Sequence, residues 1–456
     1  MTGLKQRIDE HAEVPLTLEE PAPRALRLSD QLGMWGNLGV SLLGFTGAIF
    51  VLDPLGTGKL QLSLVAGFVA LLLGTVLGTA AVAAAAIPGT ETGQPAMVLL
   101  RGLFGARLSA LPTVLNVLQL IGWTTFELVT ISAALNQIVD GVARWVWVIA
   151  GGAVTTVLAL RPLGWIRVLR KYVTAAVMVT MLYLLIQLLR NPLPPLSHGS
   201  WNSFWLAVDG VISVAVSWVP VASDYSRHSR SVRDTVIGTF AGYSITQIVC
   251  YLIGMIMLVT VASGDVNNIF GAFTAIPLGT LAFAILAIRE IDQSFVDTYS
   301  TAVSIQNLRP RWDRRVLAVV VGVLATVLTL ALDIHDYYNF LLLIGSVFVP
   351  LLGVLVIDYF VMSRRRWDLS ETAPARWAML VPWFAGFVAY QMINPGYIVW
   401  WTSMWRHIDE AVGFTPSSWM SASLVSFFVA AIVTVPVGLI ERNVRAHPSR
   451  GRGRAG

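Results

Sequence analysis

Two groups of polar residues stand out in a chain that is otherwise strongly apolar. Trp123 and Glu127 are four residues apart, which on a helix puts them on one face about one turn from each other. An aromatic face beside a carboxylate suits a flat, polar heterocycle, because the ring stacks while the carboxylate accepts ring N–H groups. The second group is the run Arg289, Glu290, Asp292, Gln293, Ser294, Asp297, Thr298 and Tyr299. Glu290, Gln293 and Asp297 recur at helical spacing and form one stripe. Arg289 and Asp292 fall on a neighbouring stripe, where they would neutralise each other. Asp297 and Thr298 offer oxygen ligands to a hard cation such as sodium, and Glu127 or Asp297 could instead carry a proton. A purely structural salt-bridge cluster is the alternative.

Other chemistries find little footing. His11, His198, His228, His335, His407 and His447 all map to loops or tails, so no His–carboxylate helix motif or Ser/His/Asp set is expected to converge. Gly56-Thr57-Gly58-Lys59 lacks the glycine spacing and following hydroxyl of a phosphate loop. Cys250 is the only cysteine, which excludes an internal disulfide or a cysteine metal cluster. No enzyme activity and no cofactor are expected, beyond a coupling sodium ion or proton.

The elements that must position these residues are membrane helices. The 456 residues are 55% hydrophobic and 12% charged, with mean hydropathy +0.69, whereas a soluble domain carries about 25% charged residues. The apolar residues come in blocks of about 20, the length needed to cross a bilayer, and lipid-embedded backbone must satisfy its own hydrogen bonds, which makes the blocks helices. Twelve are predicted, at 29–54, 59–84, 109–137, 144–160, 172–190, 203–222, 235–262, 275–300, 315–333, 337–361, 377–400 and 419–440. With the N-terminus in the cytoplasm, this map puts most of the 31 Lys and Arg in cytoplasmic loops, as the positive-inside rule requires. The basic residues therefore reflect topology and contact with the lipid bilayer rather than nucleic acid. Residues 1–28 read as a cytoplasmic tail without signal-peptide features, and 441–456 as a basic cytoplasmic tail.

Helix 1 carries Trp35-Gly36-Asn37-Leu38-Gly39-Val40-Ser41 and helix 6 carries Asp209-Gly210 through Ser217, Trp218 and Pro220. Breaks at these positions would free backbone groups at the midplane for a substrate and an ion, although glycine also serves close helix packing.

Over about residues 20–440 the chain resembles the nucleobase–cation symporters, the purine–cytosine permease group. The resemblance is carried by LRLSDQLGMWGNLGVSLLGF, GTETGQPAMVLLRGLFGARLSALPTVLNVLQLIGWTTFE, WVPVASDYSRHSR, DQSFVDTYSTAVSIQN and NPGYIVWW. It implies an all-α membrane protein with a five-plus-five inverted-repeat core at 29–361 (repeats about 29–190 and 203–361) and two additional helices at 377–440. It implies alternating access around a site made by helices 1, 3, 6 and 8. Trp123 matches the family's stacking tryptophan and Glu127 its polar neighbour one turn on. Ala215 stands where the family commonly has an aromatic, with Trp218 nearby as a substitute. The expected substrate-binding residues are thus Trp123, Glu127, Asn37, Ser41, Ala215, Trp218, Gln293 and Ser294, and the ion-binding residues Gly39, Val40, Asp297 and Thr298. The expected function is cation-coupled import of a small heterocycle across the inner (plasma) membrane, the candidates being cytosine, a purine, allantoin, a hydantoin or a hydroxymethylpyrimidine. An amino-acid symporter of the same fold and a passive channel or facilitator are the alternatives.

Overall fold

The computed structural model describes residues 22–139, 141–160, 172–332 and 337–446. Residues 1–21, 140, 161–171, 333–336 and 447–456, and with them His11, His335 and His447, lie outside the described residues. Regular structure among the described residues is helical. In chain order the helices are α1 (Leu28–Leu38), α2 (Leu42–Leu52), α3 (Leu64–Thr92), α4 (Ala96–Phe104), α5 (Ala110–Ile138), α6 (Arg144–Ala159), α7 (Thr174–Leu188), α8 (Phe204–Val216), α9 (Ala222–Ser226), α10 (Val232–Val259), α11 (Ile269–Ala275), α12 (Gly279–Leu308), α13 (Arg314–Thr329), α14 (Tyr337–Val356), α15 (Leu380–Ile393), α16 (Val399–Val412) and α17 (Ala422–Ala446).

Six stretches among the described residues are long and apolar enough to cross a bilayer: α3, α5, the run from α8 through α9, α10, α14 with its following π turn, and α17. Counting the bent pair α1 and α2 as one span makes seven. The predicted count of twelve also needs shorter helices such as α6 and α7, and the polar α12. That helix is 30 residues long, yet its charged residues are buried in protein rather than set against lipid, which is how such a sequence is tolerated at depth. Apolar side chains point outward instead. Val316, Val320, Val323 and Val327 of α13 are each more than half exposed, an arrangement suited to hydrocarbon.

Helix starts follow from local chemistry. Ser63 caps α3 by accepting the Ala66 N–H at 3.2 Å, and Ser231 caps α10 through the Asp234 N–H at 3.1 Å. The short α4, which the sequence reading missed, is buried along its whole length. Its start is capped from a distant segment, because Asp224 Oδ1 accepts the Ala96 N–H at 2.9 Å. The rest of the Asp224-Tyr225-Ser226-Arg227 stretch joins other helices. Tyr225 Oη donates to the Val296 carbonyl (3.0 Å) and lies 2.7 Å from Ser300 Oγ, both on α12. Ser226 Oγ donates to the Ala86 carbonyl of α3 at 2.6 Å. His228 lies in a turn, as mapped, and is buried with Nδ1 2.9 Å from the Pro23 carbonyl. Burial, with Arg227 beside it, pushes its pKa down to about 3.

Several boundaries differ from expectation: the second helix runs on to Thr92 and the eighth to Leu308. The eleventh predicted helix, 377–400, stops at Ile393, and the chain turns through Asn394-Pro395-Gly396, with Gly396 at φ +81°. A separate helix, α16, follows and holds His407, which is therefore on a helix rather than in a loop. Proline disfavours helical backbone in the residue before it, which explains the stop.

Arg376, ahead of α15, fastens several elements. Its guanidinium makes a two-pronged contact with Asp358 (2.7 and 2.9 Å), reaches Glu441 of α17 at 2.8 Å and donates to the Gly102 carbonyl of α4 at 2.8 Å. Burial alone would lower its pKa, but the hydrogen bonds and charges of Asp358 and Glu441 outweigh that and raise it.

Candidate substrate and ion site

The expected break in helix 1 lies at residues 39–41, between α1 and α2, whose axes differ by 59°. Gly39 is needed there for close approach. A Cβ at this position would fall 2.8 Å from the Tyr243 carbonyl and 2.2 Å from Thr246 Oγ1 of α10. Only a residue without a side chain lets α10 press against the break.

The break is bridged by two neighbouring residues of α12. Arg289 donates from Nη2 to the Asn37 carbonyl, near the C-terminal end of α1. Glu290 accepts the Leu42 N–H at 2.8 Å and the Ser41 hydroxyl at 2.6 Å, at the start of α2. The two charges are 3.6 Å apart, with side chains 1% and 0% exposed. Arg289 is therefore ion-paired with Glu290, while its charge also acts on Asp292, as the spacing suggests, and the Asp292 carboxyl lies beside the Asn37 amide. Arg289 Nη1 also donates to Gln293 Oε1 at 2.7 Å, which orients that amide.

A cavity opens beside the break. Its walls include Gly39 and Ser41, Trp123 of α5, Trp218 after α8, Gln247 of α10, Gln293 and Asp297 of α12, and Tyr337 of α14. The void is about 20 Å³, room for roughly one water, so the walls are closed in. Trp123 meets the rings of Tyr337 and Phe340 edge-on, at 5.7 and 5.5 Å. Trp218 reaches the cavity because α8 ends at Val216 and the chain continues as a 3-10 turn at Val219–Val221. Its indole N–H donates to Tyr243 Oη at 3.1 Å.

Glu127 lies behind this wall and is fully buried. No neighbouring group donates to either of its oxygens. The group that faces it is another carboxyl, Asp297, within hydrogen-bonding reach. Two carboxyls can share a hydrogen bond only when one carries a proton.

Of the expected site residues, the structure brings Gly39, Ser41, Trp123, Trp218, Gln293 and Asp297 to one cavity, with Glu127 against Asp297. Asn37, Val40, Ser294 and Thr298 are not on its wall. Thr298 turns its hydroxyl back to the Ser294 carbonyl at 2.9 Å. Ala215 is a correction. It packs against α3, where a Cβ at Gly78 would lie 2.6 Å from its methyl group, so it is committed to a helix contact. Gln247 was missed by the sequence reading. Its side chain is buried on the cavity wall, and both amide atoms lack a hydrogen-bond partner. A lone amide among apolar and hydroxyl residues gives no periodic signal. The Gly56-Thr57-Gly58 loop has its own anion, because the Thr57 and Gly58 N–H groups donate to the Asp53 carboxylate at 3.0 and 2.7 Å.

Comparison with known proteins gives the family and the fold. Residues 35–378 match the sequence model of a family described as permease for cytosine/purines, uracil, thiamine, allantoin. A Bacillus subtilis (strain 168) protein named as a purine-cytosine permease, YxlA, is 22% identical over 66% of this chain and 70% of its own length. A hydantoin permease of Microbacterium maritypicum is 25% identical over 59% of this chain and 60% of its own. Among solved structures, the nucleobase-cation-symport-1 family transporter Mhp1 in a closed conformation superposes with TM-score 0.71 at 16% identity, covering 96% of each chain. A sodium-coupled sialic acid symporter matches with TM-score 0.55 at 14% identity, covering 91% of this chain and 96% of its own. These likenesses show the fold.

Proposed function

Since the chain belongs to the family of permeases for cytosine/purines, uracil, thiamine and allantoin, we propose that it is a cation-coupled symporter importing a nucleobase-like heterocycle, with cytosine, a purine, allantoin, a hydantoin and a hydroxymethylpyrimidine as the substrate class. It is a multi-pass membrane protein. We place it in the inner (plasma) membrane with both termini cytoplasmic, on the distribution of its Lys and Arg residues. We read the fold as twelve spans. Ten form two inverted five-helix repeats, about 29–190 and 203–361, and two more follow at 377–440.

The observation that carries the reading is the cavity at the helix-1 break, where two tryptophans and two glutamine amides converge beside a carboxyl. Aromatic faces hold a flat ring by stacking, and amides and carboxyls read its N–H and C=O edges. Trp123 stacks on the ring, Gln293 and Ser41 bind its edge, and Glu127 with Asp297 links binding to the ion.

The test is a thermal-shift panel of the purified chain against nucleobases, hydantoins and amino acids, followed by uptake in liposomes. A true substrate at a hundredfold excess over its Kd stabilises by about 2.7 kcal/mol. Glu127→Ala is expected to abolish uptake while expression and folding persist. Stabilisation by amino acids alone, or normal uptake by the Glu127 variant, overturns the assignment.

A further inference from the structure

Both ends of the broken helix already hold charges from the chain itself. The C-terminal end of a half-helix presents carbonyls that attract a cation, and the N-terminal end presents N–H groups that attract an anion. In transporters with discontinuous helices these ends receive the coupling ion and an anionic substrate group. Here Arg289 donates to the Asn37 carbonyl, while Glu290 takes the Leu42 N–H and the Ser41 hydroxyl. The pair is buried and mutually neutralising at 3.6 Å, and a guanidinium is a permanent cation.

Building on the symporter reading, we propose that the Arg289–Glu290 pair fills the places a sodium ion and an anionic substrate group would occupy at the break, so that transport needs no sodium and selects uncharged ligands. The driving cation is then a proton. The single charge of Arg289 acts on four buried carboxyls, those of Glu127, Glu290, Asp292 and Asp297, is ion-paired with Glu290, and can balance one of them. Unbalanced buried carboxylates are costly, and Glu127, fully buried with neither oxygen accepting a hydrogen bond, provides the proton's seat beside Asp297. The groups facing that pair are Arg289 and Glu290 of α12, Tyr225 of α9, Tyr243 of α10 and Tyr337 of α14. The proton adds to a carboxyl oxygen on one side of the membrane and leaves from it on the other. No bond other than that O–H forms or breaks.

The test uses the purified full chain in liposomes, with radiolabelled cytosine, uracil and hydantoin as probes and orotate as the carboxylated counterpart of uracil. An inside-alkaline pH gradient in sodium-free choline medium is expected to drive accumulation, and adding sodium to change the initial rate by less than about twofold. Orotate should not compete. Accumulation that requires sodium, or orotate competing as well as uracil, overturns the proposal. Asp297→Asn should lose pH-driven accumulation while its thermal unfolding stays cooperative, and Asp297→Glu, which restores a titrating carboxyl, should recover accumulation. Full pH-driven accumulation by Asp297→Asn overturns the proton assignment. If no heterocycle binds or is taken up, the permease reading fails instead. The ion inference is still decided in that case by sodium against choline in thermal unfolding of the wild-type chain without substrate, because sodium-specific stabilisation overturns it and equal stability supports it.

Discussion

At the scale of single residues, the pairs readable from spacing were those lying on one helix. Trp123 and Glu127 share a face because they are four apart, and the Glu290–Gln293–Asp297 stripe follows the same logic. Partnerships across helices were not readable. That Arg289 would choose Glu290, that Ala215 would be taken by Gly78, and that Gln247 would come from α10 all depend on which helices touch. Gln247 leads to a prediction with a distinctive signature. A buried amide with unmade hydrogen bonds costs about 1–3 kcal/mol, and a ligand edge can recover part of this. Gln247→Leu is therefore expected to hold or raise the unfolding temperature of the free protein while weakening apparent substrate affinity by about tenfold or more. Thermal unfolding with and without ligand, together with the KM of uptake, checks both halves. A variant that loses stability and keeps its KM shows Gln247 to be packing.

At the scale of elements, the break in helix 1 was legible because glycines and Asn37 crowd one segment, while α4 and α16 were not. The first is too short to read as a span, and the second falls almost wholly in the loop expected between 400 and 419, while Trp400 and Trp401 prolong the preceding apolar run past Pro395. The contact between Arg376 and Asp358 ties α15 and α17 to the end of α14 and to α4. Asp358 is fully buried, so removing the guanidinium strands a carboxylate. Arg376→Ala is expected to destabilise the protein by about 3–5 kcal/mol. Arg376→Lys should retain part of that, because an ammonium keeps the charge and loses the two-pronged geometry. Unfolding curves in detergent for the three proteins measure the order, and equal stability of wild type and Arg376→Ala would remove the fastening role.

At the scale of the whole molecule, composition and block length already identify a membrane bundle, because hydrocarbon tolerates the outward apolar face that water would not. Composition does not specify how the bundle closes over its centre. The chamber beside the helix break admits about one water, and a heterocyclic ring does not fit in it until the tryptophans and tyrosines part. Encounter alone is then insufficient, and the walls must loosen before the ring enters. In rapid-mixing experiments that follow tryptophan fluorescence, the observed association rate should level off as solute concentration rises, its ceiling set by the frequency of opening. Measured affinity should fall short of the intrinsic value by the fraction of molecules open at any moment.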